Sequence, residues 1–168
     1  MSIWTHVDGF VRSKTKISKA DLEEAFGKEM KLIYVDRRDF VSRNENGLVF
    51  DDEGYEKAYE EAEKHNNAEW DAYDENKSLY MPCGSEGSLC YSPMKKVGDN
   101  YEIYEYGIHG SLRDFSNEDS IIKWFQKAHF ELSRKVAPDD PWAIHGKIEA
   151  SSGCGVLTWE TNNPEWFK

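Results

Sequence analysis

The stretch from Tyr101 to Val136, YEIYEYGIHGSLRDFSNEDSIIKWFQKAHFELSRKV, decides how the rest of the chain folds around it. Tyr104, Tyr106, Ile108, Gly110 and Leu112 alternate with Glu105, Gly107, His109, Ser111 and Arg113. That period of two predicts a strand buried on one face, ending in a turn at Arg113-Asp114. Ser116 stands three residues before Asp119, where a hydroxyl can take a first-turn amide and a carboxylate can face the positive helix end. Ile121, Ile122, Trp124, Phe125, Ala128, His129, Leu132 and Val136 then recur at spacings of three and four, predicting a helix with a broad apolar face. Pro138 forbids its continuation.

Upstream, Ile3, Thr5, Val7, Gly9 and Val11 alternate with Trp4, His6, Asp8, Phe10 and Arg12. Bulky groups on both sides predict a central strand. Ser18 before Asp21 marks a short helix containing Leu22, Ala25 and Phe26, and Gly27 stops it. Met30 to Val41 reads as a short strand, and Asn46-Gly47 as a turn into Leu48-Val49-Phe50. Asp52 to Asn76 is helical, with a thin stripe of Tyr55, Ala58, Tyr59 and Ala62. A break is expected at Asn66-Asn67, before Trp70 and Tyr73. Pro82 to Pro93 is a loop and strand that Gly98-Asp99-Asn100 turns back into the anchoring strand. Ile144 to Glu160 reads as a last strand, bulged or bent at Ser151-Ser152-Gly153-Cys154-Gly155.

Without residues 30–80 the order is strand, helix, strand, strand, helix, strand. That predicts an α+β chain built as a ferredoxin-like split βαβ sandwich, an antiparallel sheet with two helices on one face. The expectation is a single domain over 1–168, with residues 30–80 as an insertion containing an acidic helix.

The 168 residues carry a formal charge of −11, unevenly spread. Asp51 to Lys77 holds eleven acids against three bases, so all remaining residues carry only −3. Such a balance opposes direct nucleic-acid binding, which needs a cationic face that releases counterions. A partner protein with a basic nucleic-acid-binding surface suits it. No apolar run is long enough for a membrane, and Met1 to Arg12 lacks a secretory layout, so a cytoplasmic protein is expected. Three cysteines fit free thiols in a reducing compartment. Oligomeric state is not legible.

Trp4-Thr5-His6-Val7-Asp8-Gly9, Pro82-Cys83-Gly84-Ser85-Glu86-Gly87-Ser88-Leu89 and Gly110-Ser111-Leu112-Arg113-Asp114-Phe115 together resemble a group of small proteins carried by tailed bacteriophages and their hosts. The resemblance covers the predicted sandwich and leaves out the acidic insertion. It implies a phage setting, hence a host cytoplasm, and brings no established reaction or site residue.

The acidic helix is the leading candidate surface. Glu53, Glu56, Glu60, Glu61, Glu63, Glu69, Asp71, Asp74 and Glu75 surround little apolar area. Charge runs ordinarily serve solubility. The sharper expectation is a row of carboxylates that imitates DNA phosphates and blocks a host defence protein, such as a CRISPR effector or a restriction enzyme, without catalysis. A second reading, a small-ligand or nucleotide-signal protein or enzyme, uses Gly84, Ser85, Glu86, Gly87 and Ser88 with Arg113, Gly153 and Cys154. The first of these loops lacks the Gly-Lys-Ser/Thr ending of a phosphate loop and leads into a strand, which favours a plain structural turn. Cys154 has no adjoining lysine or histidine to activate it. His6, His109 and His145 with a thiol would suit zinc, but no metal-ligand spacing exists, so neither metal nor cofactor is expected. A structural phage component is the third reading. No catalytic residue is assigned.

Overall fold

A computed structural model describes residues 2–31, 35, 43–44, 47–48, 52–98, 102–115, 117–140 and 142–161, excluding the side chains of 43, 44, 47, 48, 52 and 53. The chain divides into two compact units, Met1–Met30 with Ser78–Lys168, and Lys31–Lys77.

The first unit is α+β. Its strands are β1 (Trp4–Ser13), β4 (Leu89–Tyr91), β5 (Lys95–Val97), β6 (Ile103–Arg113), β7 (Ile144–Ser152) and β8 (Gly155–Glu160), and its helices α1 (Lys19–Phe26) and α3 (Glu118–Val136). All six strands form one antiparallel sheet in the order β4-β6-β1-β7-β8, with β5 also paired to β6. β1 is central, as its two-sided bulk predicts. Thr5, Val7, Val11 and Ser13 are buried on the side facing the helices, whereas Trp4, His6 and Asp8 on the other side are exposed.

The amphipathic faces of both helices close the core. Leu22 and Phe26 of α1 meet Ile121, Phe125, Ala128 and Leu132 of α3, above Val7, Val11, Ile108, Leu112 and Ile148 of the sheet. Phe125 is wholly buried, with Phe26 at 5.2 Å and Trp159 at 5.7 Å between ring centroids. Burying one such ring contributes about 1.5–3 kcal/mol. Polar tips are satisfied: Trp124 Nε1 donates to the Phe26 carbonyl at 3.2 Å and Tyr106 Oη to that of Ile17 at 2.8 Å.

Ser18 caps α1, its hydroxyl accepting from the Asp21 amide at 3.1 Å, as expected. Gly27 ends the helix at φ +99°, and a Cβ there would lie 2.5 Å from the Tyr80 carbonyl carbon. Both conditions require glycine. The contact pins the point where the chain leaves and rejoins this unit: Lys28 N donates to Leu79 O at 2.8 Å and Met81 N to Lys28 O at 2.9 Å.

Several expectations need correction. α3 is capped by Asn117, whose side-chain oxygen accepts from Ser120 N at 3.1 Å; Ser116 lies outside the described residues. Ser120 Oγ donates to the Asn117 carbonyl at 2.7 Å and so does not reach back to the cap's amide as the expected box would. Ile144 to Glu160 is not one bent strand but the hairpin β7–β8, with Ser152 paired to Gly155 around a Gly153-Cys154 turn. Strands rarely exceed ten residues, so seventeen should have suggested two.

The second unit contains β2 (Arg43–Asn44) paired with β3 (Gly47–Leu48), and α2 (Asp52–Glu75). The pairing agrees with a turn before Leu48; Asn46, Val49 and Phe50 lie outside the described residues, as does most of the strand expected from Met30 to Val41. α2 runs its 24 residues without the break expected at Asn66-Asn67. The Asn66 amide is used on Val35 instead, accepting from its N–H and donating to its carbonyl. Tertiary partners thereby override the modest helix cost of asparagine. Among the described residues, no helix is long and apolar enough to cross a membrane.

Candidate functional site

α2 has two sides. Ala58, Ala62 and Tyr73 are buried, and Tyr55, His65, Asn66, Glu69 and Trp70 are half-buried. At about 100° per residue these form one stripe. Tyr59, expected in that stripe, is 51% exposed. By the same geometry Glu56, Glu60, Glu63, Asp71 and Asp74 fall within about 80° of one another, in a sector centred about 130° from the middle of the stripe, with Glu63 bordering Trp70. All five are exposed, as are Glu61 and Glu75 on the flank. Glu69 belongs to the inner side, and Glu53 offers only a backbone position. The predicted carboxylate set therefore separates into an outward row, a flank and one inward member.

Among the described residues, no ion pair engages any carboxylate of that row, or Glu61, Glu69 or Glu75. Elsewhere ion pairs are common: Lys135 meets Asp21 at 2.9 Å and also Glu24, and the Ser18 hydroxyl, with Lys135 second, holds the Asp21 carboxyl below its usual range. The row is also badly placed for the helix itself. Glu56 and Glu60, and Asp71 and Glu75, are like charges four apart, each such pair destabilising by about 0.2–0.5 kcal/mol. No base occupies the last turn, where Asp74 and Glu75 face the negative end of the helix dipole.

The glycine loop Gly84–Ser88 is a turn docked on the end of β6. Gly84 N donates to Gly87 O at 3.0 Å, Ser85 N to Arg113 O at 2.9 Å and Arg113 N to Glu86 O at 2.9 Å. The amides of Gly84 and Ser85, which an anion would need, are thus already used. Side chains complete the lock: Arg113 pairs with Glu86, and Ser85 Oγ donates to Asp114 Oδ2 at 2.7 Å. Asp114 tolerates φ +55° at this turn, as aspartate can. Gly153 and Cys154 lie at the same end of the sheet, on the β7–β8 turn. With β6 and β1 intervening, about 4.8 Å per strand spacing leaves the two loops roughly 14 Å apart. The two halves of the ligand reading do not share one contact shell.

The histidines occupy neighbouring strands on the sheet face away from α1 and α3, at different levels. His6 Nδ1 lies 2.8 Å from Ser111 Oγ, His109 Nδ1 3.4 Å from Cys90 Sγ, and His145 is buried 5.5 Å from the Phe10 ring. Burial and the nearby Glu29 push the Cys90 thiol up, which keeps it protonated and a poor nucleophile. Among the described residues, no group of three or more His, Cys, Asp or Glu side chains is placed to hold a metal ion.

Two features escaped the sequence reading: the bracket that Asn66 places on Val35, and the outer edge of β8. The first had no local signal. The second was hidden by reading Ile144 to Glu160 as one strand. No protein-family model, curated protein or solved structure matches the chain.

Proposed function

We propose that this chain is a non-enzymatic binding protein whose α2 carboxylates occupy the cationic nucleic-acid groove of a partner protein, in the manner of a DNA mimic. The observation that carries this reading is the outward row Glu56, Glu60, Glu63, Asp71 and Asp74, exposed and without ion pairs among the described residues. With Glu61 and Glu75, the charges extend along about 28 Å of helix axis at ~1.5 Å per residue. That is roughly one charge every 4–5 Å, near the about 3.4 Å phosphate spacing of one DNA strand. Tyr59, exposed beside Glu56 and Glu63, supplies the aromatic anchor that such interfaces favour. A solubilising helix would not need its acids concentrated where they oppose both each other and the dipole.

In this proposal the sheet with α1 and α3 is a ferredoxin-like carrier. The order β4-β6-β1-β7 with two crossover helices packed into one core supports that finer description. The phage setting implied by the sequence resemblance makes the partner a bacterial defence protein, such as a CRISPR effector or restriction enzyme, in the host cytoplasm.

The test is capture from a bacterial lysate with the wild-type chain and with a Glu56→Gln, Glu60→Gln, Glu63→Gln, Asp71→Asn, Asp74→Asn variant. The expected result is a nucleic-acid-handling protein retained by the first bait and lost from the second. A captured set identical for both baits contradicts the proposal.

A further inference from the structure

The two edges of the six-stranded sheet are built differently. On the β4/β5 side the edge is split into two three-residue strands, the Tyr91 amide is taken by Glu29 Oε1 at 2.8 Å, and Lys95 and Lys96 are exposed. Short strands, capped amides and lysines are the usual defences against strand addition. β8 has none of them. Its sequence Gly155-Val156-Leu157-Thr158-Trp159-Glu160 carries one charge and no proline, with Val156 60% and Leu157 44% exposed.

The register fixes which groups face outward. Thr161 N donates to Gly146 O at 2.9 Å, so Gly146–Thr161 is a hydrogen-bonded pair, and such pairs alternate along an antiparallel ladder. Trp159, Leu157 and Gly155 therefore bond toward β7, while the amides and carbonyls of Val156, Thr158 and Glu160 point away from the sheet. These outward groups have no hydrogen-bond partner among the described residues.

We propose that β8 pairs antiparallel with β8 of a second copy of this chain, about a two-fold axis at Thr158. The occupant follows from self-complementarity. Centring on Thr158 makes Val156 face Glu160 of the second copy, Thr158 face Thr158, and Glu160 face Val156, each pair exchanging its outward backbone bonds. The single acidic side chain of the strand never meets its own copy, and the Thr–Thr pair is a favourable cross-strand match. On the helix side, half-exposed Leu157 lies opposite Trp159 of the other copy. Shifting the axis to Trp159 would keep the outward backbone bonds but set Trp159 against Trp159 and Thr158 against Glu160, giving up both the Thr–Thr and the Leu157–Trp159 matches.

Sedimentation velocity of the full chain from micromolar to millimolar concentration tests the assignment, with folding of each variant checked by circular dichroism. A concentration-dependent monomer–dimer equilibrium is expected. Val156→Glu, at a position open enough to accept it, sets carboxylate against Glu160 twice across the axis and should weaken the dimer by at least about tenfold. Val156→Lys faces the same Glu160 with opposite charge and should keep or strengthen it. A wild-type chain that stays monomeric, a dimer indifferent to Val156→Glu, or equal weakening by both substitutions overturns the proposal.

Discussion

The side-chain amide of Asn66 brackets the backbone of Val35, accepting from its N–H at 3.1 Å and donating to its carbonyl at 3.2 Å. It ties the middle of α2 to a segment more than thirty positions earlier, inside the unit that carries the acidic row. Asn66→Ala should leave both Val35 groups without these bonds and cost about 1–3 kcal/mol in that unit. Hydrogen exchange would report it as faster exchange around Val35 and along α2, with the sheet's protection retained.

Charge at the end of α2 opposes stability and serves the proposed function, so the two should move in opposite directions. Asp74→Asn with Glu75→Gln removes two charges from the negative end of the dipole, where each costs about 0.3–1 kcal/mol. Thermal melting should show a more stable helix. The same variant should bind the captured partner more weakly. Gain of stability without loss of binding would leave these carboxylates outside the interface.

Two buried histidines predict acid sensitivity. Burial holds His129, packed against Phe125 and Trp159, below the ordinary value of 6.5, and does the same to His145 despite the opposing pull of Glu160. Arg12 and Lys147 beside His145 act in the same direction as burial. A depressed histidine makes the unfolded chain bind more protons once pH drops below its own value, so stability is lost as pH falls from about 6.5 toward the folded values. Asp21 and Glu118, whose carboxyls are held low by hydrogen-bonded partners, add losses only under more acidic conditions. Urea unfolding between about pH 7 and pH 5 should show the decline, and His129→Phe should reduce its slope.

At Gly146 side chains of α3 lie directly against the sheet backbone. A Cβ there would lie 2.6 Å from His129 Cδ2 and 3.1 Å from Phe125 Cε1, whereas nothing stands within 4 Å of one at Gly153. Gly146→Ala should cost about 1–3 kcal/mol by overpacking, and Gly153→Ala should be near neutral. Chemical unfolding of the pair distinguishes a packing requirement from a general loss of glycine.

The sequence was most informative where period and burial coincide. β6 and α3 follow their apolar spacing almost residue for residue, and Ser18 caps α1 because its hydroxyl has a local amide to accept. It was least informative where distant partners decide. Asn66-Asn67 looks like a breaker only while Val35 is out of view, and Asn117 displaces Ser116 as cap through a difference of one position. The acidic row was visible as composition, but its division was not. That Glu69 faces inward follows from which side of α2 is buried, a choice the thin stripe of small and aromatic residues left undetermined, and Tyr59 is exposed although its helical position falls within that stripe's arc. The β7–β8 hairpin was missed because Gly153-Cys154 suits either a bulge or a tight turn.

Competition by duplex DNA for the captured partner tests the central claim most directly. If the carboxylate row occupies a nucleic-acid groove, DNA and this chain exclude each other, and raising salt weakens the complex less when Glu56, Glu60, Glu63, Asp71 and Asp74 are neutralised. A complex that binds DNA and this chain together, with affinity unchanged in the neutralised variant, would contradict the account.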